Sequence, residues 1–524
     1  MNDNDRPDWW QSGVVYQIYP RSFMDANGDG VGDLPGIEAR LDHVVQLGVD
    51  AIWISPIFPS PMADFGYDVS DYCGIDPLFG DLDAFDRLVA TAHERGLRVL
   101  LDLVPSHTSE QHPWFLESRT SPDSPKRDWY VWRDPAPDGG PPSNWISEFG
   151  GPAWTLDTKT GQYYLHIFLK EQPSLNWRNP AVREAVLGAM RFWFDRGVDG
   201  FRVDAIEHLV PDAKLRDNPI NPDWHESMGP ARSHLGIHTQ HRPEVFEYLA
   251  EMRRLARSYS PERLLIGEAY GTLEQIVRYY GRQLDCFHLP FNFQLIGAQW
   301  SPENIARIVD AYEAALPKGA WPNWVLGNHD RARIASRVGP LQARVAAMLL
   351  LTLRGTPTIY QGDELGMENV PIPPDRVMDP WEINVPGKGL GRDPVRAPIA
   401  WTGGTGAGFT TGAPWLPIDT RSEMRVDLQD NDRGSMLALH RALLGLRRRE
   451  PALALGNYRT VAVDQHVYCY ERFIGQHRLA IALNFSDTPR PLPVAGRTIL
   501  STTMDGMLTD DALGPHEGRI LAPE

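Results

Sequence analysis

The sequence predicts an α/β protein: a (β/α)8 TIM barrel with an inserted subdomain after strand 3 and a small C-terminal antiparallel β domain. Short apolar runs alternate with amphipathic helical stretches, eight such runs occur up to residue 364, and beyond about Gly456 the helical period disappears. Eight strand-helix units are the pattern of a closed barrel. A doubly wound open sheet is the competing architecture, but no glycine-rich phosphate-binding turn follows the first run.

The predicted barrel strands are continuous runs of Val, Ile and Leu, because a parallel sheet buries both of its faces. They lie at 14–20, 51–56, 98–104, 199–206, 263–270, 286–293, 322–330 and 357–364. Helices are predicted at 37–49 and 82–96. Another begins after Asn179, which is its predicted N-cap, with Pro180 in the first helical position. The helix at 436–450 is expected to close the barrel.

Two regions interrupt or follow this pattern. From about residue 105 to 173 the chain is rich in Pro, Gly, Trp and Ser and has no helical period. We therefore assign 105–172 to the inserted subdomain and 1–104 with 173–456 to the barrel. The C-terminal domain, 457–524, contains Val-, Tyr- and Thr-rich runs such as YRTVAV, VYCYERF and LAIALNF, which are typical of antiparallel strands.

Composition limits the class of partner. A formal charge of −17 disfavours nucleic acid and anionic membranes, which bind through clustered Lys and Arg. The longest apolar run, 346–353, is too short for a membrane span, which needs about 20 residues. The first thirteen residues do not resemble a signal peptide. The three cysteines, at 73, 286 and 469, are widely spaced, which predicts free thiols, and we expect a cytoplasmic monomer or homodimer.

Carboxylates follow several predicted strands at the end where barrels carry their active sites. Asp68, Asp204, Glu268 and Asp330 follow strands two, four, five and seven. Taken singly, each is more often a helix cap or an ion-pair partner, but like charges converging in one cleft indicate chemistry. Two carboxylates with no nucleophilic Ser and no obligatory metal point to glycoside hydrolysis.

Basic and imidazole side chains accompany these carboxylates. Arg202 lies two positions before Asp204, so both side chains leave the strand on the same face, and the guanidinium would keep Asp204 ionised. His107 and His329 could donate hydrogen bonds to sugar hydroxyl groups.

Six segments together resemble one family. DLVPSH (102–107), GFRVDAIEH (200–208), GEAY (267–270) and NHD (328–330) resemble the four signature regions of the α-amylase superfamily, glycoside hydrolase family 13. GYDVSDY (66–72) and QPSLNW (172–177) resemble its oligo-1,6-glucosidase and α-glucosidase branch. The resemblance extends from about Trp9 through RDPVRAPIAW (392–401).

This resemblance implies a role for each matching residue. Asp204 is the implied nucleophile, Glu268 the general acid/base, and Asp330 the third carboxylate that binds ring hydroxyls. The residues implied to hold or surround the glucose unit are Asp68, Tyr67, His107, Arg202, His329, Arg396, Phe149 and Phe168. The implied mechanism is retaining, through a covalent glucosyl-enzyme, and needs no organic cofactor. A sugar hydroxyl in place of water would give a transferred glucoside.

Two positions depart from the family pattern, and a third bears on linkage preference. Ser106 replaces an Asn that is associated with a second calcium site in α-amylases, and Ser174 replaces a common Asp. The residue after the implied nucleophile is Ala205, which accompanies α-1,4 rather than α-1,6 preference in the resembling enzymes. No stretch resembles the RLDRD sequence of sucrose isomerases.

The function expected from the sequence is an exo-acting α-glucosidase that takes short α-glucosides from the non-reducing end. The alternatives on the same fold are an oligo-1,6-glucosidase, a sucrose hydrolase or isomerase, and a trehalose-forming isomerase. A catalytically inactive binding subunit is the alternative from another class.

The stretch DANGDGVGDLPGI, 25–37, resembles a calcium loop, but Gly36 stands where a helix-loop-helix sensor needs its glutamate. It lies between the first strand and the first helix and is therefore a βα loop. In the resembling branch this loop binds a structural cation, and the matching ligands are Asp25, Asn27, Asp29, the carbonyl of Val31, and Asp33. Oxygen ligands suit Ca²⁺ or Mg²⁺, and the alternative is a solvated Asx-Gly turn without metal.

Overall fold

The computed structural model describes residues 7–504 and 511–523. Residues 1–6 of the N-terminal stretch that argues against a signal peptide lie outside the described residues, as do 505–510 and 524 of the predicted C-terminal domain. The described strands are β1 Val15–Ile18, β2 Ala51–Ile54, β3 Arg98–Leu103, β4 Trp132–Arg133, β5 Trp154–Asp157, β6 Gln162–Leu165, β7 Gly200–Val203, β8 Leu264–Gly267, β9 Leu289–Pro290, β10 Asn323–Val325, β11 Thr356–Tyr360, β12 Asn457–Val463, β13 Val467–Ile474, β14 His477–Asn484, β15 Arg490–Pro491, β16 Gly496–Ser501, β17 Ala512–Leu513 and β18 Gly518–Pro523.

The described α-helices are short except where they cover the barrel. They are α1 Trp9–Ser12, α2 Leu34–Ala39, α3 Leu41–Leu47, α4 Leu82–Glu94, α5 Pro113–Ser118, α6 Pro180–Asp195, α7 Val245–Arg257, α8 Leu273–Val277, α9 Pro302–Ala315, α10 Ile334–Val338, α11 Pro340–Thr352, α12 Pro380–Asn384, α13 Val426–Gln429, α14 Met436–Arg449 and α15 Pro451–Leu455. Of the described helices, none is both long enough and apolar enough to cross a bilayer.

Eight parallel strands form the central sheet in the order β10-β11-β1-β2-β3-β7-β8-β9. A parallel bridge between Asn292, just after β9, and Trp324 in β10 joins the two ends of this sheet. Each of the eight predicted strand ranges overlaps one of these strands. The prediction of a TIM barrel is confirmed, and the open doubly wound sheet is excluded.

Alternation along the strands divides the core into two parts. In β1, Val15 packs inside the barrel with Trp53 and Leu100, whereas Tyr16 belongs to the larger core shared with the surrounding helices. Successive side chains point to opposite faces of a strand. At the carboxyl end of β1 the next inward position is Gln17, which is fully buried and polar. The apolar interior therefore gives way to polar side chains where the active site is expected.

Three of the predicted helices form as expected, and the one predicted at 82–96 is α4. The side chain of Asn179 accepts a hydrogen bond from the Ala181 N–H at 2.9 Å, and Pro180 begins α6. The helix α14 packs against α11 and α3 and so closes the ring of helices.

The predicted helix at 37–49 is broken into α2 and α3 at Arg40, which has φ −112° and ψ 9°. The Arg40 guanidinium lies 4.6 Å from the ring centroid of Trp401. This contact with a distant residue accompanies the break, and helix propensity along 37–49 does not predict the break.

The region between β3 and α6 holds a three-stranded sheet in the order β4-β6-β5. Its predicted lack of helix is wrong for α5, where the His112 ring Nδ1 accepts a hydrogen bond from the Trp114 N–H at 3.1 Å and Pro113 follows as the first helical residue. At the other end of the chain, β12-β13-β14-β18-β16 form an antiparallel sheet, which confirms the C-terminal β domain. Cys73, Cys286 and Cys469 are free thiols.

Candidate active site

The carboxyl ends of the barrel strands surround a cavity of about 260 Å³, slightly below the usual range for ligand sites. Seven of the residues predicted from the sequence line it: Tyr67, His107, Phe149, Phe168, Asp204, Glu268 and Asp330. They come from loops after four different strands and from the inserted region. The barrel topology alone brings them together.

Arg202 holds three carboxyl groups at the floor of this cavity. Its Nη1 lies 2.6 Å from Asp102 Oδ1 and 2.8 Å from Asp204 Oδ1, and its Nη2 donates to Glu268 Oε2. The guanidinium also lies 5.0 Å from the ring centroid of Trp53. Arg202 and Asp204 leave β7 on the same face, as the sequence predicts. One buried cation therefore orients both candidate catalytic carboxyls.

Both candidate catalytic carboxyls have a raised pKa. Burial raises the pKa of Glu268 to about 8 against the attraction of Arg202, and the negative charges of Asp204 and Asp330 add to the rise. Burial raises the pKa of Asp204 to about 7, and the Arg202 guanidinium opposes that rise. The guanidinium that was expected to keep Asp204 ionised is therefore outweighed by burial, and the two carboxyls titrate as one interacting pair. A carboxylate beside a carboxylic acid is what a nucleophile and a general acid require.

Asp330 is held as an anion. Burial favours its neutral form, but the guanidinium groups of Arg392 and Arg396 lower the pKa of Asp330 well below its usual range. Arg396 Nη2 lies 2.9 Å and Arg392 Nη1 3.4 Å from Asp330 Oδ1. A permanently ionised carboxylate suits a hydrogen-bond acceptor for sugar hydroxyls and not a proton donor.

His329 takes part in a buried hydrogen-bond chain. The Gln17 amide donates to its Nδ1 at 2.8 Å, which leaves Nε2–H to donate to the Tyr67 hydroxyl at 2.7 Å, and that hydroxyl donates to Asp102 Oδ2 at 3.1 Å. The rings of Tyr67 and His329 are stacked with centroids 5.4 Å apart. Burial lowers the pKa of His329 well below its usual value, so the ring is neutral.

Three predicted ligand contacts lie behind the cavity wall. Arg202, His329 and Arg396 are at most 1% exposed and do not line the cavity. The structure brings them to the site, but as supports of its carboxylates and of Tyr67.

The prediction that Asp68 contacts the sugar is corrected by the structure. Asp68 is fully buried, and its oxygens accept hydrogen bonds from Ser60 Oγ at 2.8 Å and from the N–H groups of Ala63 and Asp64 at 2.9 Å each. Asp64, four residues earlier, lines the cavity instead. Asp68, which belongs to the motif GYDVSDY, holds this turn together. The turn in its place brings the Asp64 side chain to the cavity.

Sequence reasoning missed several other side chains of the cavity: Glu148, Glu207, His208, Arg232, Gln240, Tyr270, Arg331, Trp381 and Arg392. Arg392 Nη2 bridges Asp64 Oδ1 at 2.6 Å and Asp379 Oδ1 at 2.7 Å. Arg392 could have been predicted, because it opens RDPVRAPIAW, the same segment that contains the predicted Arg396. Glu207 and His208 likewise lie in the segment GFRVDAIEH, and Tyr270 lies in GEAY. The remaining side chains lie outside the six segments that resemble the family: Glu148, Arg232, Gln240, Arg331 and Trp381.

Comparison with known proteins agrees with this geometry. The family profile described as the alpha amylase catalytic domain matches residues 17–456, and one described as a domain of unknown function (DUF3459) matches residues 455–524. The chain belongs to the α-amylase family of glycoside hydrolases.

Relatives of this α-amylase-family chain have two different names. It is 41% identical to a probable alpha-glucosidase of Rhizobium meliloti (strain 1021), over 98% of this chain and 97% of the relative. It is 38% identical to an oligo-1,6-glucosidase of Heyndrickxia coagulans, over 92% of each protein. The crystal structure of an alpha-glucosyl transfer enzyme, XgtA, superposes with a TM-score of 0.94 at 41% identity, covering 99% of this chain and 100% of that one. These findings confirm the family resemblance.

Two departures from the family pattern have local roles in the structure. Ser106 Oγ lies 2.8 Å from His107 Nδ1 and orients that ring. The Ser174 Oγ accepts a hydrogen bond from the Ile167 N–H at 3.4 Å. Ala205, next to Asp204, lines the cavity in a left-handed conformation with φ 44° and ψ 44°.

The acidic loop after β1 is held by its own hydrogen bonds. Asp25 accepts from the N–H groups of residues 28 and 30 at 2.6 and 2.8 Å, and Asp33 caps α2 by accepting from the Gly36 N–H at 2.7 Å. Among the described residues, no three His, Cys, Asp or Glu side chains are placed to share a metal ion. All the predicted donors are oxygens, which suits Ca²⁺ or Mg²⁺, but their carboxylates are turned to backbone N–H groups. The cation site stays a prediction.

Proposed function

We propose that this chain is a retaining, exo-acting α-glucosidase that hydrolyses short α-glucosides from the non-reducing end, transfers glucose to sugar hydroxyls, and prefers α-1,4 linkages. The observation that carries the proposal is the joint hold of Arg202 on Asp204 and Glu268, two buried carboxyls with raised pKa values in one cavity. The family membership supports the same reaction class.

In the first step, Asp204 attacks the anomeric carbon while Glu268 gives its proton to the glycosidic oxygen. The bond from the anomeric carbon to that oxygen breaks, an ester to Asp204 forms, and the leaving sugar departs as a neutral alcohol. Arg202 keeps the ionised Asp204 in position, and Asp330 accepts hydrogen bonds from ring hydroxyls as positive charge develops on the sugar.

In the second step, the Glu268 carboxylate removes a proton from an incoming hydroxyl group, whose oxygen attacks the anomeric carbon and releases Asp204. Two displacements on one carbon restore the original α configuration. Water gives free glucose, and a sugar hydroxyl gives a transferred glucoside. Transfer is supported by the similarity to an alpha-glucosyl transfer enzyme.

The exo character is supported by an ion-paired wall on the glucose side of the cavity. Arg392 bridges Asp64 and Asp330, with Nη atoms 2.6 and 3.4 Å from their carboxylate oxygens, and its guanidinium lies 5.3 Å from the ring centroid of Phe149. Such a wall blocks a longer chain and offers paired donors and acceptors to the terminal hydroxyls of one glucose unit.

The linkage preference rests on Ala205, whose small side chain lines the cavity beside Asp204. The relative named oligo-1,6-glucosidase makes α-1,6 linkages the second candidate. Both candidates share the catalytic groups and differ in how the leaving sugar lies against this position.

Initial rates on maltose, isomaltose, sucrose and trehalose test the proposal. We expect maltose to be cleaved fastest, with glucose and a transferred trisaccharide as products. Faster cleavage of isomaltose would replace the α-1,4 preference by the α-1,6 alternative. No cleavage of any of the four, together with retained glucoside binding, would favour an inactive binding subunit. Polarimetry or NMR of the first product checks retention, and release of the β anomer would contradict it.

A further inference from the structure

Gln17 is a buried amide that the proposed reaction steps do not use. It is the inward-facing residue near the carboxyl end of β1 and is 0% exposed. Its Nε2 carries two protons, and two acceptors lie within reach, His329 Nδ1 at 2.8 Å and Ser55 Oγ at 3.2 Å. Gln17 does not line the cavity. A role in the reaction must therefore act through His329.

Two aromatic rings fix the plane of the His329 imidazole. The Tyr67 ring lies at 2° to it with centroids 5.4 Å apart, and the Tyr19 ring lies at 19° with centroids 5.7 Å apart. The imidazole is fully buried and neutral. Because its plane is fixed, the remaining variable is which of its two nitrogens carries the proton.

The groups beside Nε2 determine which nitrogen that is. Nε2 lies 3.3 Å from Asp330 Oδ2 and 2.7 Å from the Tyr67 hydroxyl. Arg392 and Arg396 hold Asp330 as an anion, so a bare Nε2 would bring its lone pair against a negative charge. A proton on Nε2 instead faces that charge and donates to the Tyr67 hydroxyl. The proton is therefore on Nε2.

The Gln17 amide supports this tautomer from the other side of the ring. With the proton on Nε2, Nδ1 has a lone pair and needs a donor, which the amide NH2 group supplies at 2.8 Å. The reverse orientation of the amide would place its oxygen against that lone pair. A buried acceptor without a donor costs free energy, so the amide stabilises one tautomer over the other.

We propose that Gln17 is a positioning residue that holds the proton of His329 on Nε2 and so keeps the imidazole directed at Asp330 and the Tyr67 hydroxyl. In the proposed mechanism Asp330 accepts hydrogen bonds from ring hydroxyls as positive charge develops, so its position matters most in the transition state. The kinetic part of this inference rests on the proposed function. The tautomer itself is a property of the protein alone.

Nitrogen NMR of protein with isotope-labelled histidine rings tests the tautomer. The His329 signals are those that disappear in His329→Gln. We expect one protonated and one bare nitrogen, and the protonated one should couple to both C–H protons of the ring, because only Nε2 is bonded to both C–H carbons. A proton on Nδ1 in the wild-type protein would overturn the proposal.

Gln17→Met removes the donor at nearly the same side-chain volume. We expect kcat on maltose to fall about tenfold while KM stays within about twofold, because the interaction lost acts in the transition state. A share of the His329 rings should then carry the proton on Nδ1.

Gln17→Asn keeps an amide but is one methylene too short to reach Nδ1. It should give a change of the same kind, with kcat lowered about threefold or more. This variant keeps the test decisive if Gln17→Met does not fold.

Gln342→Met is the matched control. Gln342 is 5% exposed, and its Nε2 lies 2.7 Å from His516 Nδ1, where α11 meets the C-terminal domain. The same kind of amide–imidazole hydrogen bond is lost, far from the cavity. Both Met variants should lower the melting temperature, whereas only Gln17→Met should lower kcat.

Equal values of kcat in Gln17→Met and Gln342→Met would overturn the proposal. A loss of kcat in Gln17→Met with the His329 proton still entirely on Nε2 would overturn it as well and assign Gln17 to packing alone. Failure of the proposed function looks different, because the wild-type protein would then cleave none of the disaccharides while the tautomer of His329 could still be measured.

Discussion

Two acidic regions of this protein hold their carboxylates in different ways. In the loop at 25–33, Asp25 and Asp33 accept hydrogen bonds from backbone N–H groups at most seven residues away. At the active-site rim, Asp204, Glu268 and Asp330 depend on guanidinium groups, and the partners of Glu268 and Asp330 come from distant segments.

The difference explains why only one region is suited to catalysis. A carboxylate held by its own turn keeps the chain in place and needs no special proton affinity. The pKa of a buried carboxyl is raised where burial outweighs the neighbouring cations, as in Glu268, and lowered where the cations outweigh burial, as in Asp330. Density of Asp residues in the sequence marks the first region more strongly than the second, so density is a poor guide to chemistry.

The largest expected effect comes from neutralising the two rim carboxyls. Asp204→Asn and Glu268→Gln should each lower kcat on maltose on the order of 10³-fold or more, because the first removes the nucleophile and the second the proton donor. Asp29→Asn, in the exposed part of the loop, should change kcat less than about twofold. Steady-state glucose release measures all three, and comparable losses in Asp29→Asn would remove the distinction between the regions.

Removing the shared cation should affect stability as well as rate. Arg202→Met leaves three buried carboxyls without their partner, so we expect the free energy of unfolding to fall by about 3 kcal/mol at pH 8. The fall should be smaller at pH 5, where the carboxyls are protonated and need no counter-charge. Urea titrations at both pH values measure it.

The control for that variant is Arg196→Met, which removes a half-exposed ion pair to Asp86 with N and O 2.7 Å apart. In Arg196→Met the free energy of unfolding should fall by less than about 1 kcal/mol at either pH. A loss in Arg202→Met that is equally small, or that does not depend on pH, would show that the rim does not rely on this guanidinium.

The pH dependence of kcat/KM should reflect the active-site carboxyls and not those of the loop at 25–33. Activity needs Asp204 ionised and Glu268 protonated, so kcat/KM should fall below about pH 7 and above about pH 8, the values to which burial raises the two pKa values. The two apparent constants belong to the interacting pair. Asp33→Asn in the loop should leave both limbs in place, and a profile flat from pH 5 to 9 would contradict the assignment.

The smallest effect on activity is expected in the loop. Asp25 is 3% exposed and also receives the Thr410 hydroxyl. Asp25→Ala should lower the free energy of unfolding by about 1–3 kcal/mol and leave kcat within about twofold. A tenfold loss of kcat would show that the loop acts on the active site.

The same variant tests the predicted cation. If Ca²⁺ or Mg²⁺ binds this loop, a chelator should lower the melting temperature of the wild-type protein and not that of Asp25→Ala. Equal curves with and without chelator would favour the Asx-Gly turn.

Much of the fold could be predicted because it depends on short-range pattern. The buried strands are continuous apolar runs, Asn179 and Pro180 mark the start of α6, and strand ends point to Asp204, Glu268 and Asp330. Each of these signals lies within a few residues of the feature it predicts. The break of the first helix at Arg40, beside Trp401, has no such signal.

The sequence by itself determined the barrel, the C-terminal β domain and which strand ends carry carboxylates. Only the tertiary structure decided that Asp64 rather than Asp68 faces the cavity and that Arg392 bridges Asp64 to Asp330. The physical reason is the distance along the chain between the residues that interact. Strand and cap patterns are local, whereas the partner of a buried charge is set by loops that meet across 60 to more than 300 residues, as for Arg202 with Glu268 and Asp64 with Arg392.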